Sequence, residues 1–470
     1  MSVIDRITKS KATKAGIGYT VGNILVKGIN FVSLPVFSRL LSTEEFGIYN
    51  IFIAYDAILY VILGMALHSS VKSAFYEYKK IDEYVSSISL IYLINMGISF
   101  VLITVFRGWL ISFTGLSWLI LYLLIIYSVS TALITLYNNK LSLEYAYKKY
   151  LCIGLINSIG NVGLSLLFIL YLPGNDKAFA RIAAVSLVVL LIAMYILCVF
   201  YKKERPRYNK KYWKFAVDYS SPIIAHGLSQ VVLAQSDRIM IQHFIGYSAA
   251  GIYGLAGNVQ LVLEVISTSI ATVWSTWFFE KIDGNKIDEI KKSSSQLLIF
   301  FECAIVGIMA IAPELIYILG GEKYNQSKYI AIPMVISAFV IFAYNVIVPS
   351  EYYTKKTKYI MWGTIAAASI NIVANYIFIR KHGIVAAAYT TLFSYIIYLL
   401  MHVVISKRLI KFNVLSIRLL IGGFVVALFC MCINLIFVES MLVRYTFGAI
   451  VEIAMLAALY CIKRKNSVKE

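Results

Sequence analysis

The sequence predicts an all-α, multi-pass membrane protein, and three observations support this fold class. The 470 residues are 60% hydrophobic and only 14% charged, with a mean hydropathy of +0.78. A soluble domain is closer to half apolar and a quarter charged. The apolar residues also fall in long blocks of about 20 residues, the length of a transmembrane helix. We therefore expect no sizeable soluble domain.

We expect about fourteen transmembrane helices: twelve in two six-helix lobes, related by a pseudo-two-fold axis along the membrane normal, and two extra helices at the C-terminus. Their predicted ranges are 15–41, 46–68, 85–106, 112–136, 150–172, 180–201, 215–245, 249–278, 295–319, 329–352, 358–379, 383–405, 413–437 and 442–462. The predicted domains are an N-terminal lobe, a basic cytoplasmic inter-lobe loop, a C-terminal lobe, and the extra helix pair with a basic tail, at 1–201, 202–214, 215–405 and 406–470.

The distribution of positive charge predicts the side of the membrane on which each loop lies. The net charge is +19. Of the 43 Lys and Arg residues, 32 lie at the termini or in loops after even-numbered spans, and nine lie in loops after odd-numbered spans. Because Lys and Arg concentrate in cytoplasmic loops, we expect both termini in the cytoplasm. The excess charge is then an orientation signal and does not indicate a nucleic-acid partner.

The sequence lacks the motifs that several classes of enzyme and metal site require. Its six cysteines show neither metal-ligand spacing nor a disulfide framework. Neither GxGxxG nor the phosphate-loop motif occurs, so we expect no direct ATP hydrolysis. We predict no catalytic residues, no metal site and no cofactor, and a protein that is not an enzyme.

An internal repeat relates the two halves of the chain. When RLLSTEEFGIYNI, from Arg39 to Ile51, is set under HFIGYSAAGIYGL, from His243 to Leu255, the tripeptide Gly-Ile-Tyr coincides at an offset of 204. In both places a long span ends, a short turn follows, and the tripeptide lies in the next span. Because six spans separate the copies, both halves enter the membrane from the same side, as in several transporter folds.

These segments carry a resemblance to a known family. RLLSTEEFGIYNIF after the first span and SDRIMIQHFIGYSAAGIYG at the seventh are similar to the bacterial Wzx-type repeat-unit flippases of the multidrug/oligosaccharidyl-lipid/polysaccharide exporter superfamily. The resemblance implies two helix bundles in a V within the inner membrane, and export of undecaprenyl-diphosphate-linked oligosaccharide units for O-antigen or capsule by alternating access. It also implies membrane lipids, a polysaccharide polymerase and chain-length machinery as partners.

The first span carries the strongest candidate for contact with such a cargo. Asn23, Lys27 and Asn30 are spaced by four and three residues and therefore share one helix face. An ionisable group at mid-bilayer costs about 2.5–3.5 kcal/mol, so it usually faces a wet cavity or a partner. We expect Lys27 to face the cleft and meet the diphosphate; the alternatives are a carboxylate partner or snorkelling to one interface.

The seventh span carries a second set of polar residues. His226, Gln230 and Asp237 are spaced by four and seven residues, again on one face. Arg238 points about 100 degrees away from Asp237, because each residue of an α-helix turns by that angle. The two charges cannot both face one cleft, so at least one of them is structural. Arg238 is a candidate cargo contact, and Asp237 is a candidate orienting residue or ion site.

Buried carboxylates provide candidates for coupling transport to an ion gradient. Asp56 and Glu264 lie in spans 2 and 8, which are equivalent elements of the two lobes, and Glu302 and Glu452 lie in spans 9 and 14. A carboxylate in a low-dielectric environment can carry a proton. We expect coupling to protons or to sodium, with a structural pair to a nearby base as the alternative for each residue.

Two other functions remain open at this point. A cation-coupled multidrug exporter of the same fold would prefer a cleft dominated by carboxylates, whereas this chain also offers Lys27 and Arg238. A membrane polysaccharide polymerase would need a sizeable outward loop with catalytic groups. The longest predicted outward loops have about ten residues, which disfavours the enzyme.

Overall fold

The computed structural model describes residues 11–172, 174 and 176–467. Within them all regular structure is helical, so the predicted fold class is confirmed. The chain divides into two compact units, with the boundary between Gln235 and Ser236 inside one long helix. The predicted division into an N-terminal lobe, a loop at 202–214 and a C-terminal lobe stays a prediction.

The first unit contains eight complete α-helices. They are α1 (Lys11–Leu40), α2 (Thr43–Gly64), α3 (Ser70–Glu77), α4 (Ile81–Val105), α5 (Arg107–Thr114), α6 (Trp118–Leu143), α7 (Tyr147–Tyr171) and α8 (Lys177–Lys203). Helix α9 (Lys210–Phe244) contains the boundary between the units. A short 3₁₀ turn at Leu67–Ser69 separates α2 from α3.

The second unit contains eight further α-helices. They are α10 (Tyr247–Asp283), α11 (Ile287–Gly320), α12 (Ser327–Ile347), α13 (Pro349–Tyr353), α14 (Thr357–His382), α15 (Ile384–Ile410), α16 (Ile417–Ile436) and α17 (Met441–Ser467). A 3₁₀ turn at Glu322–Tyr324 links α11 to α12. The break between α12 and α13 lies inside the predicted tenth span, because Pro349 cannot donate a backbone hydrogen bond.

Twelve helices in the described part of the chain are long and apolar enough to cross a membrane. The chain is therefore a multi-pass membrane protein. Helices α9 and α17, which correspond to the predicted spans 215–245 and 442–462, are not among the twelve. Helix α9 carries several charged and amide side chains, which lower its mean hydropathy. The predicted count of fourteen stays a prediction.

The turn before α2 shows what the sequence STEE at 42–45 does in the motif that carries the family resemblance. The Ser42 hydroxyl accepts a hydrogen bond from the Glu45 backbone N–H at 3.1 Å, and Glu45 Oε2 accepts one from the Ser42 N–H at 2.7 Å. This reciprocal capping box provides acceptors for two N–H groups at the helix start. Gly246 occupies the position 204 residues later and precedes α10, as the repeat predicts.

In the first unit α6 lies against α2, α4 and α8, and its buried face is apolar. The Arg181 guanidinium of α8 lies close to the turn between α1 and α2. It is 3.6 Å from the ring centroid of Tyr49 and 4.0 Å from that of Phe37. Cation–π contacts of this kind gain strength when water is excluded, and Arg181 is buried. The tyrosine of the repeated tripeptide therefore helps to hold three helices together.

In the second unit α12 is the most enclosed of the candidate spans, with 89% of its most apolar stretch buried. It packs against α10, α11 and α15. Phe301 of α11 and Phe342 of α12 stack with ring centroids 4.0 Å apart, and both are fully buried. The centre of this unit is thus a close-packed apolar helix surrounded by its neighbours.

The C-terminal helix α17 is joined to α11 by a buried arginine. Arg444 is 1% exposed; its Nη1 donates to Glu314 Oε2 at 2.9 Å, and it also bonds the other carboxylate oxygen and the carbonyl of Ala310. Pro313 lies between the two acceptors on α11. A bidentate Arg–carboxylate pair combines charge with fixed geometry. The pair therefore sets how α17 docks on α11.

We expect Arg444→Ala to lower the thermal unfolding midpoint of the detergent-solubilised protein. Removing the guanidinium leaves partly buried acceptors without donors, which costs about 1–3 kcal/mol. Arg418→Ala is the matched control, because Arg418 is exposed on α16. Equal midpoints for the two variants would show that the Arg444 pair does not hold α17.

Candidate functional site

The predicted cargo face of α1 is open on the surface of the first unit. Asn23, Lys27 and Asn30 are all exposed. Asn23 is held in place, because its Oδ1 accepts a hydrogen bond from the Tyr150 hydroxyl of α7 at 2.7 Å. Helix α1 packs along α7, and this contact fixes the rotation of the face.

Lys27 lies 16 residues into the 30-residue helix α1. Within the described part of the first unit, no hydrogen bond or ion pair joins its ammonium group to a carboxylate. Asp56, a candidate coupling residue, accepts a hydrogen bond from Ser128 at 2.7 Å. An unneutralised ammonium at this depth attracts an anion. Lys27 is thus an exposed ammonium group near the middle of α1, without a described carboxylate partner in its own unit.

The Asp237 carboxylate is the hub of a buried polar network in the second unit. It is 4% exposed and accepts hydrogen bonds from the Tyr253 hydroxyl and the Asn375 amide, both at 2.6 Å, and from the Thr391 hydroxyl. The three donors lie on α10, α14 and α15. Three donors around one carboxylate stabilise its charged form in an apolar interior. Asp237 therefore ties α9 to three other helices.

A second layer of hydrogen bonds completes this network. Asn371 Oδ1 accepts from the Ser236 hydroxyl at 2.8 Å and from the Asn375 amide at 3.0 Å, while its own amide donates to Thr391 at 3.1 Å. Thr390 donates to Asn375 Oδ1. Networks in which nearly every polar group is paired rigidify the helices that carry them. Every one of these side chains is buried.

Arg238 follows Asp237 on α9, about 100 degrees around the helix axis from it. Its Nη2 lies against Gly257 of α10, where an added Cβ would be only 3.2 Å away. The guanidinium has electrostatic interactions with Tyr253, Asp237 and Glu264. Glu264 is exposed, two turns after Gly257 on the same helix. Arg238 therefore lies between α9 and α10, with electrostatic interactions both with the Asp237 hub and with Glu264.

The remaining predicted residues of the seventh span lie in the part of α9 that belongs to the first unit. Gln230 is exposed, and His226 is half-buried with its Nδ1 shielded from solvent. Within the described residues that ring nitrogen has no hydrogen-bond partner. Helix α9 is continuous across Pro222, so His226, Gln230 and Asp237 do share one face of one helix.

Two further carboxylates lie where α16 and α17 pack on α11. Glu302 is 5% exposed and faces Gly423, where an added Cβ would be 2.8 Å from its Oε2. Glu452 faces Gly307, where an added Cβ would be 2.9 Å from its Oε1. Each carboxylate thus lies against a glycine on the neighbouring helix, so an added Cβ there would force the glutamate side chain to move.

Sequence reasoning missed the side chains that surround Asp237. Tyr253, Asn371, Asn375 and Thr391 are uncharged and lie up to 154 residues from it. One signal was present: Asn371 and Asn375 are spaced by four residues in an apolar helix, which places two amides on one face. Two amides at that spacing in a membrane span indicate a polar partner on another helix.

The chain matches one known protein family over more than half of its length. The family described as "Polysaccharide biosynthesis protein" matches residues 12–281, more than half of the chain. The chain belongs to this polysaccharide biosynthesis protein family. The match covers α1 to α9 and nearly all of α10, and so includes both copies of the repeated tripeptide. The resemblance stated from the sequence is confirmed.

Two relatives of this family member cover most of its length. "Lsg locus putative protein 1" of Haemophilus influenzae is 24% identical over 362 residues, which is 74% of this chain and 87% of that protein. "Probable low-salt glycan biosynthesis flippase Agl15" of Haloferax volcanii is 22% identical over 399 residues, which is 83% of this chain and 82% of that protein.

Solved structures share the fold of this polysaccharide biosynthesis protein. "Lipid II flippase MurJ, inward closed conformation" matches with a TM-score of 0.73 at 15% identity, over 94% of this chain and 99% of that one. An inward-facing multidrug resistance MATE family transporter of the MOP superfamily matches with a TM-score of 0.68 at 12% identity, over 84% and 98%. At these identities the likeness shows a shared fold.

Proposed function

We propose that this protein is a flippase for lipid-linked oligosaccharides. It moves undecaprenyl-diphosphate-linked repeat units from the cytoplasmic to the outer leaflet of the cytoplasmic membrane, by alternating access, for O-antigen or capsule assembly. Membership of the polysaccharide biosynthesis family, a relative named as a glycan biosynthesis flippase and the fold shared with a lipid II flippase support this proposal.

The observation that carries the proposal is the open, unneutralised ammonium of Lys27 in the middle of α1. A diphosphate carries about two negative charges, and a Lys ammonium offers it charge-assisted hydrogen bonds worth about 1.5–3 kcal/mol each. Asn23 and Asn30 add neutral donors on the same face. Arg238 of the second unit is the other proposed cargo contact.

The membrane potential favours the proposed direction of transport. Moving one elementary charge across the membrane is worth about 2.3 kcal/mol per 100 mV. An anion that leaves an inside-negative cell moves in the favourable direction, provided that Lys27 and Arg238 do not cancel its charge on the way. A wet cationic path replaces the cost of transferring a diphosphate and its sugars through hydrocarbon.

We assign coupling or orienting roles to Asp237, Asp56, Glu264, Gln230 and His226, with a proton or sodium as the coupling ion. Asp237 is the best placed of them, since its carboxylate oxygens lie beside the hydroxyl oxygens of Tyr253 and Thr391, from two other helices. Oxygen ligands suit a hard cation such as sodium. An ion that altered this hub would alter the packing of α9 against α14 and α15.

The proposed setting is the cytoplasmic membrane with both termini in the cytoplasm. The basic segment at 202–214 then lies at the inner surface, where it attracts anionic lipid head groups. The lipid-linked units that reach the outer leaflet are the substrates of a polysaccharide polymerase and its chain-length machinery, which are the partners that we propose.

Lipid analysis of a strain that lacks the gene tests the proposed function. We expect loss of surface polysaccharide, with single lipid-linked repeat units accumulating on the cytoplasmic side, measured by mass spectrometry of extracted lipids. The reason is that units which cannot cross the membrane cannot be polymerised outside. Restoring the gene should reverse both effects.

Two results would contradict the proposal. Single units that reach the surface without being polymerised would indicate a polymerase. Unchanged polysaccharide with new sensitivity to cationic drugs would indicate a multidrug exporter, the function of one structural neighbour by name.

A further inference from the structure

A second titratable pair lies in the second unit, away from the Asp237 network. Glu351 of α13 and His402 of α15 are both 0% exposed, and Glu351 Oε1 lies 2.6 Å from His402 Nδ1. This pair could not be predicted from the sequence, because the two residues are 51 positions apart and each lies near the end of a predicted span. None of the roles proposed above uses it.

The surroundings leave the outer atoms of the pair without partners. Within the described residues, Glu351 Oε2 and His402 Nε2 are buried and make no hydrogen bond. An added Cβ on Gly363 of α14 would be 2.6 Å from Nε2, so that glycine is required to make room for the ring. The imidazole packs against Tyr344 and Tyr398, with ring centroids 4.9 and 4.5 Å away.

The titratable groups that face the pair are tyrosines. Tyr344 of α12, Tyr352 of α13 and Tyr398 of α15 have electrostatic interactions with the Glu351 carboxylate. Helix α10 also packs on α13, and its Asp283 accepts a hydrogen bond from Tyr353 at 2.7 Å. Among the described residues, no ion pair joins Glu351 to a Lys or Arg.

Because no Lys or Arg is paired with Glu351 among the described residues, the net charge of the Glu351–His402 pair depends on one proton. With Glu351 ionised and His402 neutral, the pair carries one negative charge in a buried site, which is unfavourable. Uptake of one proton forms an imidazolium next to the carboxylate, and the pair becomes neutral overall.

The pair lies near the end of the unit that is predicted to face the cytoplasm. Glu351 is three residues before the turn that follows α13, and Ser406 is one helical turn beyond His402 toward the end of α15. Ser350 donates to Ser406 at 2.7 Å, and Ser406 lines a small pocket together with Asn413. Two hydroxyl groups, one next to Glu351 in sequence and one a helical turn beyond His402, are thus hydrogen-bonded near this end of the unit.

We propose that Glu351 and His402 form a proton-binding site of the second unit, loaded from the cytoplasmic side, whose protonation is coupled to transport. This inference rests on the proposed flippase function and adds to it a specific ion and specific residues. Proton binding draws α13 and α15 together through one charged hydrogen bond. Proton release leaves a buried negative charge that favours their separation.

The test uses the full-length protein in proteoliposomes that contain an undecaprenyl-diphosphate-linked oligosaccharide, with and without an imposed pH gradient. We expect the wild-type flipping rate to change several-fold with the gradient. Glu351→Gln and His402→Gln should flip at one rate under both conditions, and Glu351→Asp should keep the response. Glu322→Gln is the control, because Glu322 is exposed and outside the proposed machinery.

A second readout does not depend on flipping. Infrared titration of the solubilised protein should show a pH-dependent imidazole signal that is lost in His402→Gln and kept in Glu322→Gln. Loss of that signal together with the gradient response supports the site. An unchanged gradient response in Glu351→Gln, or a wild type that flips without any response, overturns it and leaves the flippase function intact. Absence of flipping in the wild type refutes the flippase function instead, and the infrared result then decides whether the pair binds a proton.

Discussion

Asp237→Ala should abolish most folded protein. The substitution leaves three buried donors, on Tyr253, Asn375 and Thr391, without their acceptor. Each unsatisfied buried group costs about 1–3 kcal/mol. The sum is comparable to the whole stability of many domains. The measurement is the amount of monodisperse protein recovered from membranes, together with its thermal unfolding midpoint.

Two matched variants separate the charge of Asp237 from its acceptor role. Asp237→Asn keeps the size and one acceptor oxygen, so we expect an intermediate loss. Asp218→Ala is the control, since Asp218 is an exposed carboxylate on the same helix. Normal recovery of Asp237→Ala would show that the hub does not support the second unit, and Asp237 would then be a purely functional group.

Lys27→Ala should reduce flipping by about 10- to 100-fold while the protein still inserts. The range follows from the loss of a charge-assisted contact worth about 1.5–3 kcal/mol, at about 1.4 kcal/mol for each tenfold change. Folding should be unaffected, because Lys27 is exposed and has no described partner in its own unit. The measurement is the rate of surface polysaccharide formation, normalised to the amount of protein in the membrane.

Lys27→Arg should recover most of the activity, because a guanidinium also pairs with phosphate. Lys72→Ala provides the control for a lost positive charge, since Lys72 is exposed on the short helix α3. Full activity of Lys27→Ala at normal protein levels would remove Lys27 from the cargo path. An equal loss in Lys72→Ala would indicate a general effect of charge on topology.

Much of the fold could be predicted because its determinants are local. Apolar blocks define helices wherever they exceed the bilayer thickness, and the capping box of Ser42 with Glu45 marks a helix start from sequence alone. Helix α9 shows the limit of this reasoning. Its polar side chains reduce its hydropathy, and only packing shows that it is continuous from Lys210 to Phe244.

The candidate site could be predicted only where a charge stood out. Lys27 and Asp237 were visible because ionisable residues are rare in apolar segments. Asn375 and Thr391 were not, because uncharged polar residues are tolerated in many membrane helices and their partner is distant in sequence. Glu351 was missed because an ionisable residue near the end of a span is usually interfacial, whereas packing buries it here completely.

Transport of the proposed cargo by the purified protein is the most direct test of the flippase function. Proteoliposomes would carry an undecaprenyl-diphosphate-linked oligosaccharide in the inner leaflet, and its arrival at the outer leaflet would be measured with a glycosidase added outside. We expect transfer to require the protein, and we expect the transfer rate to fall about 10- to 100-fold in Lys27→Ala. Transfer no faster than in protein-free liposomes, from protein that is folded and correctly inserted, would contradict it.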